Sequence, residues 1–227
     1  MTTADIRAPI APGEQAPDFA LPAVDGTTII SLADYRDRSA VFLALFIGLW
    51  CPFCRRAIAQ MAAADSDLKA MGVETLAIVA TQPQNAQLYF RFRPCSLRVA
   101  VDPGLATHRA YGLPKPEPTP ELMTAMSAVR INPNGAFPEA LPIMDAAATL
   151  TKLDGYKENE IDHADMERQW PQLKGQFMIS RGGVVRWANI ECADGLAGIG
   201  KFPSAAEIRE AARTALDLDA KTPARLQ

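Results

Sequence analysis

Ala40-Val41-Phe42-Leu43-Ala44-Leu45-Phe46-Ile47-Gly48-Leu49-Trp50-Cys51-Pro52-Phe53-Cys54 is the stretch that decides the fold. It opens on an apolar run with no polar break. A strand with one wet face alternates apolar and polar residues, so an unbroken run marks a strand buried on both faces of a largely parallel sheet. After Cys51 the period changes. Ile58, Met61, Leu68 and Met71 recur at helical spacing, and Gly72 supplies a stop. Residues 73–80 (VETLAIVA) form a second buried run. Strand, helix and strand in that order predict a parallel pair joined by a right-handed crossover.

Working outward, Asp25-Gly26 is a turn signal ahead of the β-branched residues 27–31, which predicts an N-terminal hairpin. Downstream, residues 84–92 read as a second helix ended by Pro94, residues 97–102 as a third central strand, and residues 106–111 as a short helix closed by Gly112. The composition then shifts. Seven prolines fall between Gly112 and Pro142 inclusive, a density that excludes a long regular element. Residues 113–172 therefore read as an insertion. Within it Thr119-Pro120 opens a short helix over 121–129, with further helices expected at 143–153 and 163–169. Core patterning resumes at 176–179, and a Gly182-Gly183 turn leads into residues 184–190, a late hairpin. Ser204 with Glu207 is a capping box for a C-terminal helix to about residue 216, with a tail expected to fray after Asp219. The fold class is α/β: a central mixed sheet flanked by helices, with an N-terminal hairpin and a proline-rich, partly helical insertion. One domain spans 1–227, its core at 13–112 and 173–218.

Composition bounds the function. At 227 residues, 48% hydrophobic and 22% charged, the chain can bury a core without staples. A net charge of −3 supplies no basic surface for nucleic acid. No run approaches eighteen apolar residues, so no membrane span is expected. Residues 1–12 lack the apolar centre of a signal peptide, and the expected setting is cytoplasmic. Thiols stay reduced there, so a CxxC reads as catalytic or metal-binding before it reads as a structural crosslink. A zinc or iron–sulfur site needs more ligands than the isolated Cys95 and Cys192 and two histidines provide. No metal and no cofactor are expected, and Cys95 and Cys192 read as incidental thiols.

Cys51 follows a buried strand and precedes a helix, which puts its sulfur at the helix N-terminus, where unpaired N–H groups favour negative charge. Pro52 suits the first turn, where no N–H is needed. Arg55 and Arg56 either add positive charge to the site or form a solvated helix face. Such surroundings lower a cysteine pKa from about 8.5 toward roughly 3.5–7.5. Cys51 is thus the exposed attacking thiolate. Cys54, one turn further in, is the resolving thiol that closes a disulfide. Trp50 reads as packing beside the motif, and the acidic residues 154–167 as a solvated surface.

These residues resemble the thioredoxin-like superfamily and, within it, the alkyl hydroperoxide reductase/thiol-specific antioxidant (peroxiredoxin-like, redoxin) family. The resemblance is carried by Gly13, Ala16-Pro17-Asp18-Phe19 and Gly26, by Ser31-Leu32-Ala33-Asp34-Tyr35, by Trp50-Cys51-Pro52-Phe53-Cys54 and by residues 177–186. It implies a thioredoxin-like fold and cysteine redox chemistry. Two departures stand out. The proline and threonine that family places seven and three residues before its peroxide-reactive cysteine are Ala44 and Gly48 here. Its arginine would fall near Lys174, and lysine lacks the bidentate fork. Lys174 also occupies the place of the thioredoxin cis-proline. A trans peptide is expected there, with Lys174 either facing Cys51 and favouring its thiolate or lying on a strand edge.

Three functions follow as expectations. The leading one is a thiol–disulfide oxidoreductase that acts on protein or small-molecule disulfides and is recharged by a cellular thiol reductant. The second is a peroxiredoxin-like antioxidant reducing hydroperoxides through a Cys51 sulfenic acid. The third is a binding module on the same fold with idle cysteines.

Overall fold

The computed structural model describes residues 8–221. β1 (Ala20–Pro22) and β2 (Ile29–Ser31) form the N-terminal antiparallel hairpin. Asp25 makes its turn, accepting from the backbone N–H and hydroxyl groups of both Thr27 and Thr28. Those bonds hold its carboxyl down at about 2.

β3 (Ala40–Phe46) then runs into α1 (Pro52–Ala70), and β4 (Val73–Val79) returns beside β3. α2 (Pro83–Phe92), β5 (Arg98–Val101) and α3 (Ala106–Ala110) complete the first half. β8 (Gly175–Ile179) and β9 (Val185–Ile190) form the late hairpin, and α7 (Ala205–Lys221) closes the described chain. The sheet order is β5-β4-β3-β8-β9. β3, β4 and β5 are parallel, whereas β8 runs antiparallel to β3 and β9. The sheet is mixed, as expected.

β3 is central and no residue in it is more than 1% exposed. Its alternate side chains serve two cores. Phe42, Ala44 and Phe46 pack with Ile58, Met61 and Leu68 of α1 and Ile208 and Ala212 of α7. Val41, Leu43 and Leu45 meet Ile30, Tyr35, Tyr111 and Phe177 on the other face. The unbroken apolar run is therefore the signature of a strand covered twice. At roughly 1.5–3 kcal/mol for each large side chain buried, these two layers dominate the stabilisation.

The insertion carries α4 (Pro120–Ala128), the short pair β6 (Arg130–Ile131) and β7 (Leu141–Pro142), α5 (Ile143–Asp154) and α6 (Glu160–Gln169). α4 is capped by the Thr119 hydroxyl, and α5 packs on α1 through Ile143, Ala146 and Leu150. The acidic stretch is not simply a solvated surface. Asp162 and Asp165 are fully buried. Asp162 accepts from Asn85 Nδ2 at 2.8 Å and from the Tyr156 hydroxyl at 2.7 Å. Asp165 accepts from the Thr81 hydroxyl and from Arg168. Burial raises the Asp165 pKa against those bonds. Buried carboxylates are tolerated when their lone pairs are filled, and these tie α6 to the start of α2.

The Ser204 capping box forms as read. α7 continues past residue 216 to Lys221, and most of the tail expected to fray after Asp219 falls outside the described residues. Among those residues no helix is long and apolar enough to cross a membrane.

His108, in α3, is fully buried, and neither ring nitrogen has a hydrogen-bond partner. Burial pushes its pKa from 6.5 to about 4, with Asp102 opposing and Arg109 reinforcing. The unfolded chain therefore binds this proton first. Stability falls as pH drops from about 6.5 through about 4, by up to about 3 kcal/mol. Urea unfolding across that window should show the slope in the parent protein and a flatter one in His108→Leu.

Candidate active site

The turn from β3 into α1 is held by its own backbone and by one side chain. Cys51 is the N-cap, in an extended conformation, and Pro52 takes the first helical position. The Cys51 carbonyl accepts from the N–H groups of Cys54 and Arg55 at 3.0 and 3.2 Å. Arg55 is neither a free charge beside the sulfur nor a solvated face. It is 3% exposed, donates to the carbonyls of Leu49 and Trp50, and pairs with Asp154 of α5 at 2.7 Å. Its remaining nitrogen reaches the Thr151 hydroxyl. Arg55 therefore clamps the turn to the insertion.

Cys51 and Cys54 come together as free thiols. Cys51 is 5% exposed and Cys54 is fully buried, which corrects the expectation of an exposed Cys51. Its thiol nonetheless titrates at about 7. A hydrogen bond from Cys54 is the main cause, burial opposes it, and the Lys174 charge helps while Glu191 opposes. Cys54 moves the other way, pushed up by burial and by its bond to the Cys51 sulfur. The pair is thus split into one thiolate near neutrality and one proton donor.

Lys174 is not a strand-edge lysine. Its side chain is 2% exposed and pairs with Glu191 Oε1 at 2.7 Å. Burial would lower its pKa, but Glu191 and the two cysteines raise it, so it stays charged. Glu191 is fixed in turn by the N–H groups of Gly200 and Lys174. The Lys174 ammonium lies 5.8 Å from the Phe53 ring centroid. The peptide ahead of Lys174 is trans, and the cis bond of this segment joins Trp170 to Pro171.

Trp50 does more than pack. Its Nε1 donates to Gln169 Oε1 at 2.7 Å, and Gln169 donates to the Ala80 carbonyl. This link fills the space beside Gly48. A Cβ on Gly48 would lie 2.7 Å from Gln169 Oε1 and from the Trp50 ring. Threonine does not fit there without displacing both. Ala44 sits mid-strand, paired with Ala77 and Gln176 on its two sides. A proline there would forfeit a ladder bond.

A cleft of about 700 Å³ opens over Cys51. Trp50, Cys51, Pro52 and Phe53 line it together with Lys174 and Glu191, and the insertion supplies much of the remaining wall. Cys95 and Cys192 stay outside this arrangement: burial raises both thiols, Cys192 to about 11.

Sequence reasoning missed Glu191, Gln169 and Asp154. Only Glu191 left a usable signal. The hairpin pairs Gly175 with Ile190, so extending the register one step sets Lys174 opposite Glu191.

A dithiol at a strand-to-helix turn, in a five-stranded mixed sheet and over a buried lysine, defines a thioredoxin-like redox protein. The chain belongs to the AhpC/TSA family, whose model matches residues 12–140. The thiol-disulfide oxidoreductase ResA of Halalkalibacterium halodurans is 34% identical over 108 residues, 47% of this chain. The match spans 59% of that relative's length. Among solved structures, the peroxidoxin BcpB of Mycobacterium tuberculosis superposes with a TM-score of 0.56 at 11% identity, covering 92% of this chain and 98% of that one. The mitochondrial 2-Cys peroxiredoxin of Plasmodium falciparum gives 0.55 at 12% identity, covering 95% and 100%. These likenesses establish the fold.

Gly48→Thr should therefore break the Trp50–Gln169 bond. The expected outcome is a loss of about 1–3 kcal/mol in urea unfolding, typical of overpacking, with a shift in Trp fluorescence. Gln169→Ala in the same background should restore part of that stability.

Proposed function

We propose that this chain is a thiol–disulfide oxidoreductase in which Cys51 attacks and Cys54 resolves. The observation that carries the reading is the geometry of the pair: Cys51 caps α1 with the free thiol of Cys54 one turn in and the buried Lys174–Glu191 pair beside the same cleft. The Cys54 hydrogen bond lowers the Cys51 thiol while burial raises Cys54. The Cys51 thiolate attacks a substrate disulfide, forming a mixed disulfide and expelling one thiolate, which takes up a proton. Cys54 then loses its proton and attacks the Cys51 sulfur. The second substrate thiol leaves and the Cys51–Cys54 disulfide closes. A cellular thiol reductant returns the two electrons. A reducing, cytoplasmic setting is part of the proposal, since the attacking form is the dithiol.

Peroxide reduction is the second reading, favoured by membership of the AhpC/TSA family. There the Cys51 thiolate takes the distal peroxide oxygen, releasing water or an alcohol, and Cys54 condenses with the sulfenic acid, releasing water. Gly48 and Ala44 speak against a fast version of it.

The variants separate the two. Cys54→Ser should trap mixed disulfides from cell extract and Cys51→Ser should trap none. If Cys54→Ser traps nothing while Cys51 consumes hydrogen peroxide rapidly, the peroxidase reading replaces the first. Lys174 gives an independent test. Lys174→Met removes the cation that favours the thiolate and leaves Glu191 unpaired, and both effects disfavour negative charge at Cys51. The pH midpoint of Cys51 alkylation by iodoacetamide should therefore rise by about one unit or more. An unchanged midpoint would remove Lys174 from the mechanism.

A further inference from the structure

The cleft above Cys51 differs from an open redox face in three ways. First, the thiol lines the cleft and is only 5% exposed, which disfavours a disulfide set in a broad protein surface. An electrophile carried on something narrow is favoured. Second, the walls are apolar and come largely from the insertion: Met126 of α4, Ile143, Met144 and Ala147 of α5, Met166 of α6 and Trp170. Met144 is 76% exposed and Met166 is 38% exposed. Exposed methionines around a concave site form an adaptable apolar lining, and a volume of about 700 Å³ suits a small molecule.

Third, the rim is charged with one sign to spare. Lys152 and Lys157 line the cleft and are exposed, and neither joins an ion pair among the described residues. Glu158, also on the rim, lies 3.4 Å from His163 Nε2, an ion pair only when that imidazole is protonated, so two cations face one anion there. The buried Lys174 charge is already matched by Glu191. The excess positive charge is therefore carried by exposed side chains, whereas the sulfur and most of the apolar lining are more buried.

We propose that the cleft selects a low-molecular-weight disulfide with an apolar body and an anionic end, and that the insertion sets this selectivity. The inference rests on the dithiol reading above. The apolar body lies along α5 and Met166, the anionic end meets Lys152 and Lys157, and one sulfur reaches Cys51. The Cys51 thiolate bonds to that sulfur and the partner thiolate departs with a proton from solvent. Cys54 then releases the apolar thiol by closing the Cys51–Cys54 disulfide, so two electrons pass from the dithiol to the substrate.

Single-turnover reactions of the reduced protein with mixed pyridyl disulfides test it, read by release of pyridine thione and normalised to the same reaction with free mercaptoethanol. The probes are the methyl, hexyl, carboxypentyl and aminopentyl compounds. The hexyl probe should react at least about tenfold faster than the methyl, since two buried methylenes alone are worth roughly that factor. The carboxypentyl probe should outpace the aminopentyl, with the gap shrinking at high salt. Met144→Lys should lower the hexyl-to-methyl ratio by about threefold or more. A flat chain-length series, a faster aminopentyl probe, or reduction of insulin disulfides faster than the hexyl probe would overturn the inference, the last in favour of a protein substrate.

A binding arm keeps the two readings apart. Hexyl pyridyl thioether has no disulfide to exchange, and its binding is followed by Trp50 and Trp170 fluorescence. Tighter binding than the methyl thioether supports the cleft even if no probe is turned over through Cys51, a result that would sink the dithiol reading alone. Equal binding would sink the cleft.

Discussion

A strand that is apolar on both faces has to be covered on both faces, and the rest of this molecule follows from satisfying that demand for β3. α1 and α7 cover one side, and the N-terminal hairpin with the α3 region covers the other. A parallel partner requires a crossover, and the crossover helix has to begin where β3 ends. The helix N-terminus, with its unpaired N–H groups, thus falls at Cys51 as a consequence of packing. Chemistry at this position uses a field that the fold has already produced.

The field alone is not enough, because the same burial works against a thiolate. Cys51 loses solvent, and the Cys54 hydrogen bond and the Lys174 charge have to offset the loss. Lys174 in turn would be costly to bury without Glu191, and Glu191 is held by two backbone N–H groups. Each charge is present because the previous one needs it.

The sheet and the redox turn were legible because their signals are local: an unbroken apolar run, a CxxC at its end, a proline in the first turn. The site's supports were not. Asp162 and Asp165 read as solvated because acidic residues in a helix usually are, and their partners Asn85 and Thr81 lie 77 and 84 residues away. Arg55 read as a free charge or a wet face because Asp154 is 99 residues away. The burial of Cys51 depends on walls that the insertion brings in, and seven prolines describe stiffness without saying where a stiff segment is laid. Resemblance singled out Lys174 but left it either facing Cys51 or on a strand edge, and its counter-ion follows only from hairpin register.

The two helices that wall the cleft are attached by different kinds of force. α6 is fixed by directional bonds from Asp162, Asp165 and Gln169, which fail when displaced by an ångström. α5 is pinned at its C-terminal end by Arg55, while Ile143, Ala146 and Leu150 hold the rest through apolar contact. The two walls of the cleft therefore answer to different perturbations, loss of a buried hydrogen bond for α6 and loss of apolar area for α5.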